Sequence, residues 1–353
     1  MLLDKPLVIE KFKQFHKYIK SNDGKIGNKQ RGLDINLKNA CNLKCEHCFT
    51  LSPTGLEAGK YIDLDTIERI GNEADSLGIF ELDLQGGELL LDKNYLYAVL
   101  EKLQTKRFYV YVTTNGYLMN EDIAKKLKSL GVDRVSVSID SMNPESHDSF
   151  RGKKGAWERA INALKLVQDA GITPYMNITV GKYNVDSEDL RIMLDYSKNQ
   201  KYTTLINIAT PGGMWAELES VCIDEEDTEH IIKMRKEYKN ILRNLWDPFD
   251  RNRENVIGCN TVNRLYITPK GDVLPCPYIH IKLGNIHGQS LKEISNYGFK
   301  IKKFRDFSKK CLAGEDKDFI RNHMAKKGTT IFNPALAHET FKKSEFYADN
   351  ILS

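Results

Sequence analysis

Residues 33–50 read LDINLKNACNLKCEHCFT, an apolar run that passes directly into a loop carrying Cys41, Cys45 and Cys48 as C-x3-C-x2-C. The run predicts a short strand over 33–37, and the loop spacing lets three thiolates converge on one face. The same order of strand, polar or glycine-rich turn and helix recurs down the chain. Leu64, Ile67, Ile70, Ala74 and Leu77 keep helical spacing up to Gly78, and a strand over 81–84 then ends at Gly86-Gly87. A helix over 95–103 leads to a strand over 108–113, FYVYVT, which ends at Asn115-Gly116. Two further helical stripes, Ile123 to Leu130 and Trp157 to Val167, stop at Gly131 and Gly171, with a strand over 134–139 between them. Strands over 175–180 and 204–209, separated by a helix over 190–196, complete six strand–helix units. Such alternation predicts an α/β protein with a parallel sheet and its ligand groups at the C-terminal strand ends. Six units are too few to close an eight-fold barrel.

After Pro211 the pattern changes. Residues 224–246 open with an acidic turn and carry Ile231, Met234, Tyr238, Ile241 and Leu245 at helical spacing, which predicts one long helix. A β-hairpin follows, with strands over 264–268 and 273–276, and then a short helix near 291–294. The tail from residue 317 is Lys-rich and weakly patterned. The expected organisation is a helical extension over 1–30, the strand–helix core over 31–211, a helical linker over 212–255 and a smaller α+β module over 256–353.

Composition removes several function classes. Lys plus Arg number 52 against 48 Asp plus Glu, a formal charge of +4 spread along the chain, which argues against a nucleic-acid platform. No run approaches the roughly 18 apolar residues a membrane helix needs, and the N-terminus MLLDKPLVIEKFKQFHKYIK interleaves charges unlike a signal peptide, so a cytoplasmic protein is expected. The cysteines number seven, an odd count that a pairing scheme does not explain, and the cytosol discourages disulfides.

Three chemistries compete for Cys41, Cys45 and Cys48: zinc, a redox pair and an iron–sulfur cluster. Structural zinc wants four ligands, and the one nearby supplement, His47, sits between two of the cysteines. A four-iron cluster on three thiolates instead leaves one iron open. The whole pattern, with Phe49 directly after the last cysteine, resembles the radical SAM superfamily. That resemblance implies a partial (β/α)6 TIM-like barrel whose open iron binds S-adenosylmethionine. One-electron reduction, by a donor such as flavodoxin or ferredoxin, then yields methionine and a 5′-deoxyadenosyl radical.

Further motifs fall in order on the strand ends. Gly86-Gly87-Glu88 resembles the family's GGE, implying that backbone groups and Glu88 receive the cofactor ammonium, although Leu89 follows where Pro or Ala is common. Thr114-Asn115-Gly116 resembles its TNG, implying a pocket floor. Ser138-Ile139-Asp140 resembles its S-[IL]-D, implying a ribose or carboxylate contact. His147-Asp148 with Phe150-Arg151-Gly152 resembles the segment whose Arg pairs with the cofactor carboxylate, and Asn177 is a candidate ribose contact. Singly, Gly-Gly and Asn-Gly are ordinary turns and a strand-end Ser or Asp is often only a helix cap.

Cys259, Gly271 and Cys276, with Leu283-Gly284-Asn285-Ile286 following, resemble the hairpin of SPASM and twitch extensions. This implies an auxiliary four-iron cluster, with Cys311 as third ligand. The fourth position stays open among Cys222, a vacant iron, Glu315 and Asp316. The resemblance then implies hydrogen abstraction from a carbon of a small polar substrate, a sugar, amino sugar or peptide residue. Oxidation follows if the auxiliary cluster takes the electron, and epimerisation if Cys222 returns a hydrogen atom. Pro211-Gly212-Gly213-Met214-Trp215 is a candidate wall of the substrate pocket. The alternatives are a bond-forming peptide maturase, a methyl or sulfur transferase, and, more remotely, a non-enzymatic zinc or redox sensor.

Overall fold

The computed structural model describes residues 4–248, 250, 252, 254–324 and 328–348. The six expected strands form as β1 (Gly32–Asn36), β2 (Glu81–Gln85), β3 (Tyr109–Thr114), β4 (Arg134–Ser138), β5 (Thr173–Val180) and β6 (Thr203–Ile208). Helices α1 (Pro6–Ser21), α2 (Leu64–Ser76), α3 (Lys93–Leu103), α4 (Glu121–Ser129), α5 (Pro144–Arg151), α6 (Ala156–Asp169) and α7 (Glu188–Asn199) precede and connect them. Most begin where the side-chain chemistry says they should: Asp63, Asn120, Asn143 and Ser187 each accept a hydrogen bond from the first turn they cap.

β1 to β6 lie side by side in chain order and all in parallel. Each crossover therefore steps one strand in the same direction, which puts the helices on one face and curls the sheet into an open barrel. Side chains divide by parity along each strand. Leu82, Leu84, Val110, Val112, Val135, Val137, Met176 and Ile178 are fully buried in the core under the helices. Their alternates, among them Asp34, Asp83, Gln85, Thr113, Ser138, Asn177 and Asn207, line a cavity on the concave side.

One expectation is corrected. The long helix over 224–246 is only α8 (Glu225–Glu237); Tyr238 turns extended and β7 (Ile241–Leu242) pairs with Thr204 and Leu205 of β6. An apolar residue at helical spacing also suits a strand, and the open edge of β6 offers unpaired backbone groups that a helix leaves unused. The C-terminal module contributes strands to the main sheet. Its hairpin, β8 (Arg264–Ile267) and β9 (Asp272–Leu274), joins the core, with β8 lying parallel to β1 on the side away from β2. Short strands β10 (Ile281–Lys282) and β11 (Gly284–Asn285), helix α9 (Leu291–Lys300) and β12 (Ala335–Leu336) follow, β11 extending the main sheet beyond β9 and β10 pairing with β12. The N-terminal extension packs beneath: Phe12 and Phe15 of α1 contact the Phe80 ring, and Lys5 donates to the Phe108 and Gly131 carbonyls and to Asp133. Among the described residues no helix is long and apolar enough to cross a membrane.

Candidate active site

The concave side of the sheet holds a cavity of about 250 Å³ lined by six of the seven cysteines. Cys41, Cys45 and Cys48 come from the loop after β1, as the strand-end position requires. That loop is docked on the end of α5: Lys44 N donates to the Arg151 carbonyl at 3.1 Å and Glu46 N to the Phe150 carbonyl at 3.0 Å. It also meets the turn after β2 at van der Waals limits. A Cβ added to Gly87 would stand 2.2 Å from the Ala40 carbonyl oxygen, so only glycine fits there. From the opposite side Met214 N donates to the Cys48 carbonyl at 3.0 Å, which brings the 211–215 turn over the cysteines.

The sequence-predicted residues divide into those facing the cavity and those behind it. Phe49, Gly86, Gly87, Asn115, Ser138, Arg151 and Asn177 line it. Asn115 Nδ2 donates to Asn42 Oδ1 at 2.9 Å and lies 3.9 Å from Cys41 Sγ. Arg151 Nη1 is 3.7 Å from Cys45 Sγ, while its guanidinium pairs with the buried carboxylate of Asp140. Asp140 thus stands behind Arg151, which keeps its carboxyl below the usual range despite burial. Glu88 is also outside the lining. Its oxygens accept from Leu90 N at 2.9 Å, Thr114 Oγ1 at 2.8 Å and Asn115 N at 2.8 Å, so here it clamps two strand ends together.

Cys259, Cys276 and Cys311 form the second group. Burial and then Cys311 raise the Cys276 thiol well above its usual value, and burial followed by Cys259 and Glu315 pushes Cys311 up to about 12. Glu315 Oε2 accepts from Cys311 N at 2.7 Å and Arg243 Nη2 at 2.6 Å, and its Oε1 from Arg243 Nη1 at 3.3 Å and Thr228 Oγ1 at 3.2 Å, which commits both oxygens. Asp316 caps the turn at Phe319 and faces Lys303. Cys222 lies outside the cavity, half-buried beside Glu219 and Lys317.

Two contributors escaped the sequence reading as site residues. His47 lines the cavity, stacked on Phe150 at 4.7 Å, and desolvation pushes its imidazole down to about 4. Tyr278 lines it too, edge-on to Phe49 at 5.2 Å. Their signal lay in position alone, one residue before Cys48 and two after Cys276. Trp215, from the singled-out turn, does line the cavity and packs on both His47 and Phe150.

The donor set tests which metal fits. Among the described residues no three His, Cys, Asp or Glu side chains are placed to share a single metal ion, as a zinc site requires. Two sets of three thiols around one cavity suit polynuclear iron–sulfur clusters, whose irons take one thiolate each.

Comparison with known proteins agrees. The radical SAM superfamily model matches residues 35–196, and the model of the iron–sulfur cluster-binding SPASM domain matches residues 259–314. The chain is 28% identical over 305 residues to the AdoMet-dependent heme synthase of Methanosarcina barkeri, covering 79% of this chain and 86% of that protein. It is 27% identical over 271 residues to the antilisterial bacteriocin subtilosin biosynthesis protein AlbA of Bacillus subtilis, covering 74% and 58%. The structure of anSMEcpe with bound AdoMet and the Cp18Cys peptide shares the fold, with a TM-score of 0.62 at 19% identity over 86% of this chain and 93% of that one.

Proposed function

The chain is a radical SAM enzyme with a C-terminal SPASM domain, and from that premise we propose that it oxidises a small polar substrate, a sugar or a polar residue of a peptide. When bound, S-adenosylmethionine and the first cluster supply the 5′-deoxyadenosyl radical, and the auxiliary cluster supplies a one-electron acceptor. Cys41, Cys45 and Cys48 hold the first cluster, and Cys259, Cys276 and Cys311 the second. Arg151 keeps a fixed cation beside Cys45, and Gly86 and Gly87 give the cofactor backbone to lie against. Gln85, Thr113, Ser138, Asn177, Thr179 and Asn207 offer hydrogen bonds to a polar substrate from the strands.

One observation carries the choice of oxidation. Both groups of cysteines line the same cavity, and among the described residues no further thiol does. A substrate there has an electron acceptor at hand and no spare S–H to return a hydrogen atom. Epimerisation through Cys222 is set aside on that ground. A flavodoxin or ferredoxin is the electron donor in this reading.

The test is anaerobic reconstitution of the wild type and of the Cys259→Ala/Cys276→Ala/Cys311→Ala variant. Iron should fall from roughly eight to roughly four per chain, while 5′-deoxyadenosine is still released and S-adenosylhomocysteine is never formed. Equal iron in the two proteins, or S-adenosylhomocysteine as product, overturns the proposal.

A further inference from the structure

The inner wall of the sheet carries three carboxylates, Asp34, Glu81 and Asp83, and three guanidinium groups, Arg31, Arg134 and Arg264. Four of the six satisfy one another. Arg31 Nε donates to Glu81 Oε2 at 2.8 Å, Arg264 Nη1 to the same oxygen at 2.6 Å, and Arg264 Nε to Asp34 Oδ1 at 3.1 Å. Asp83 and Arg134 are left over. Among the described residues, the hydrogen bond to Asp83 comes from Thr113 Oγ1 at 3.0 Å and no cation pairs with it. Arg134 donates Nε to Ser136 Oγ at 3.0 Å, and no carboxylate pairs with it although the residue is only 7% exposed.

Both groups line the cavity, and both are held still. The Arg134 guanidinium is sandwiched between the rings of Tyr175, at 3.7 Å, and Tyr111, at 4.3 Å, which leaves its outer nitrogens for a ligand. Asp83 on β2 is in register with Tyr111 on β3, and Tyr111 with Arg134 on β4. The two backbones are therefore about 10 Å apart, two inter-strand spacings, with the side chains inclined inward by the curl of the sheet. That span suits two hydrogen bonds to a molecule whose cation and anion are a few bonds apart. Leaving a buried guanidinium and a half-buried carboxylate unpaired is costly unless a ligand completes them.

We infer that Asp83 and Arg134 are the recognition end of the substrate cavity, for a zwitterion presenting an ammonium to Asp83 and a carboxylate to Arg134, as a free amino acid or a terminal residue does. This rests on the reading of the cavity as the site of a small polar substrate and narrows it.

The experiment uses the anaerobically reconstituted holoenzyme and saturation-transfer NMR with three probes: L-serine, L-lactate, which lacks the ammonium, and ethanolamine, which lacks the carboxylate. Serine should bind best. Arg134→Gln should weaken serine and lactate about tenfold or more, and Asp83→Asn should do the same for serine and ethanolamine. Arg134→Lys keeps the cation and should recover part of the serine signal. Release of 5′-deoxyadenosine without probe should persist in every variant, which reports that fold and cofactors are intact. No serine signal in the wild type, serine binding unchanged in Arg134→Gln and Asp83→Asn, or equal signals in the Lys and Gln variants overturns the proposal. If serine binds as expected but the wild type releases no 5′-deoxyadenosine, the oxidation reading fails and the zwitterion site stands.

Discussion

At the residue scale, Asp83 carries the clearest cost. Burial and then the neighbouring Asp34 push its carboxyl up from 3.8 to about 6, while Arg264, Arg134 and the Thr113 hydroxyl pull the other way. A carboxyl whose folded value is raised holds its proton more tightly in the folded chain than in the unfolded one. Stability is therefore intact below about pH 4 and is lost as pH rises through about 6. Asp83→Asn removes the charge and keeps the shape. It should stabilise the protein on the order of 1 kcal/mol at pH 8 and by clearly less at pH 5.5, read from thermal unfolding of the two proteins at each pH. A larger gain at pH 5.5 than at pH 8 would reverse the sign and remove the argument. A carboxylate that the fold would be more stable without is one whose retention calls for another reason.

At the scale of elements, Glu88 joins the ends of β2 and β3. It takes hydrogen bonds from Leu90 N, Thr114 Oγ1 and Asn115 N, so the turn beside Cys41 and the one bearing Asn115 move as one piece. Glu88→Gln turns one acceptor into a donor facing N–H and O–H groups. It should cost roughly 1–3 kcal/mol and lower the iron retained at the first site, measured by unfolding and by iron count; unchanged values for both would mean the clamp does nothing. The strand ends themselves were legible in the sequence, because each is a local string, a period-2 run closed by Gly-Gly, Thr-Asn-Gly or Ser-Ile-Asp. The 224–246 segment was not. Ile241 satisfies helical spacing from Met234 and Tyr238, and only the open edge of β6, more than thirty residues upstream, makes it a strand. The inner charge layer was invisible for the same kind of reason. Asp34, Asp83, Arg134 and Arg264 sit one to a strand, and nothing in any one strand says which of its polar residues meets which.

At the scale of the whole molecule, the module that the sequence sets off at residue 256 packs into the wall of the core it follows. β8 covers the edge of β1, Arg264 reaches into the core to neutralise Asp34 and Glu81, and Gln30 Nε2 donates to the Val262 carbonyl at 2.9 Å. Asn263 Nδ2 holds the Gly27 and Lys29 carbonyls at 2.9 and 2.8 Å, and Ile26 N donates to the Ile257 carbonyl at 2.9 Å. A chain ending at residue 255 would expose the β1 backbone as an edge and leave the buried Asp34 without its ion-pair partner and the buried Glu81 with Arg31 alone. The loop bearing Cys41, Cys45 and Cys48 springs directly from β1, so losing the module should disable the first site although its ligands are all present. The 1–255 fragment is accordingly expected to aggregate or to bind little iron after anaerobic reconstitution. A soluble fragment carrying roughly four irons and releasing 5′-deoxyadenosine would show instead that β1 holds its register unaided, and that the SPASM domain is an attachment to the barrel and not its missing wall.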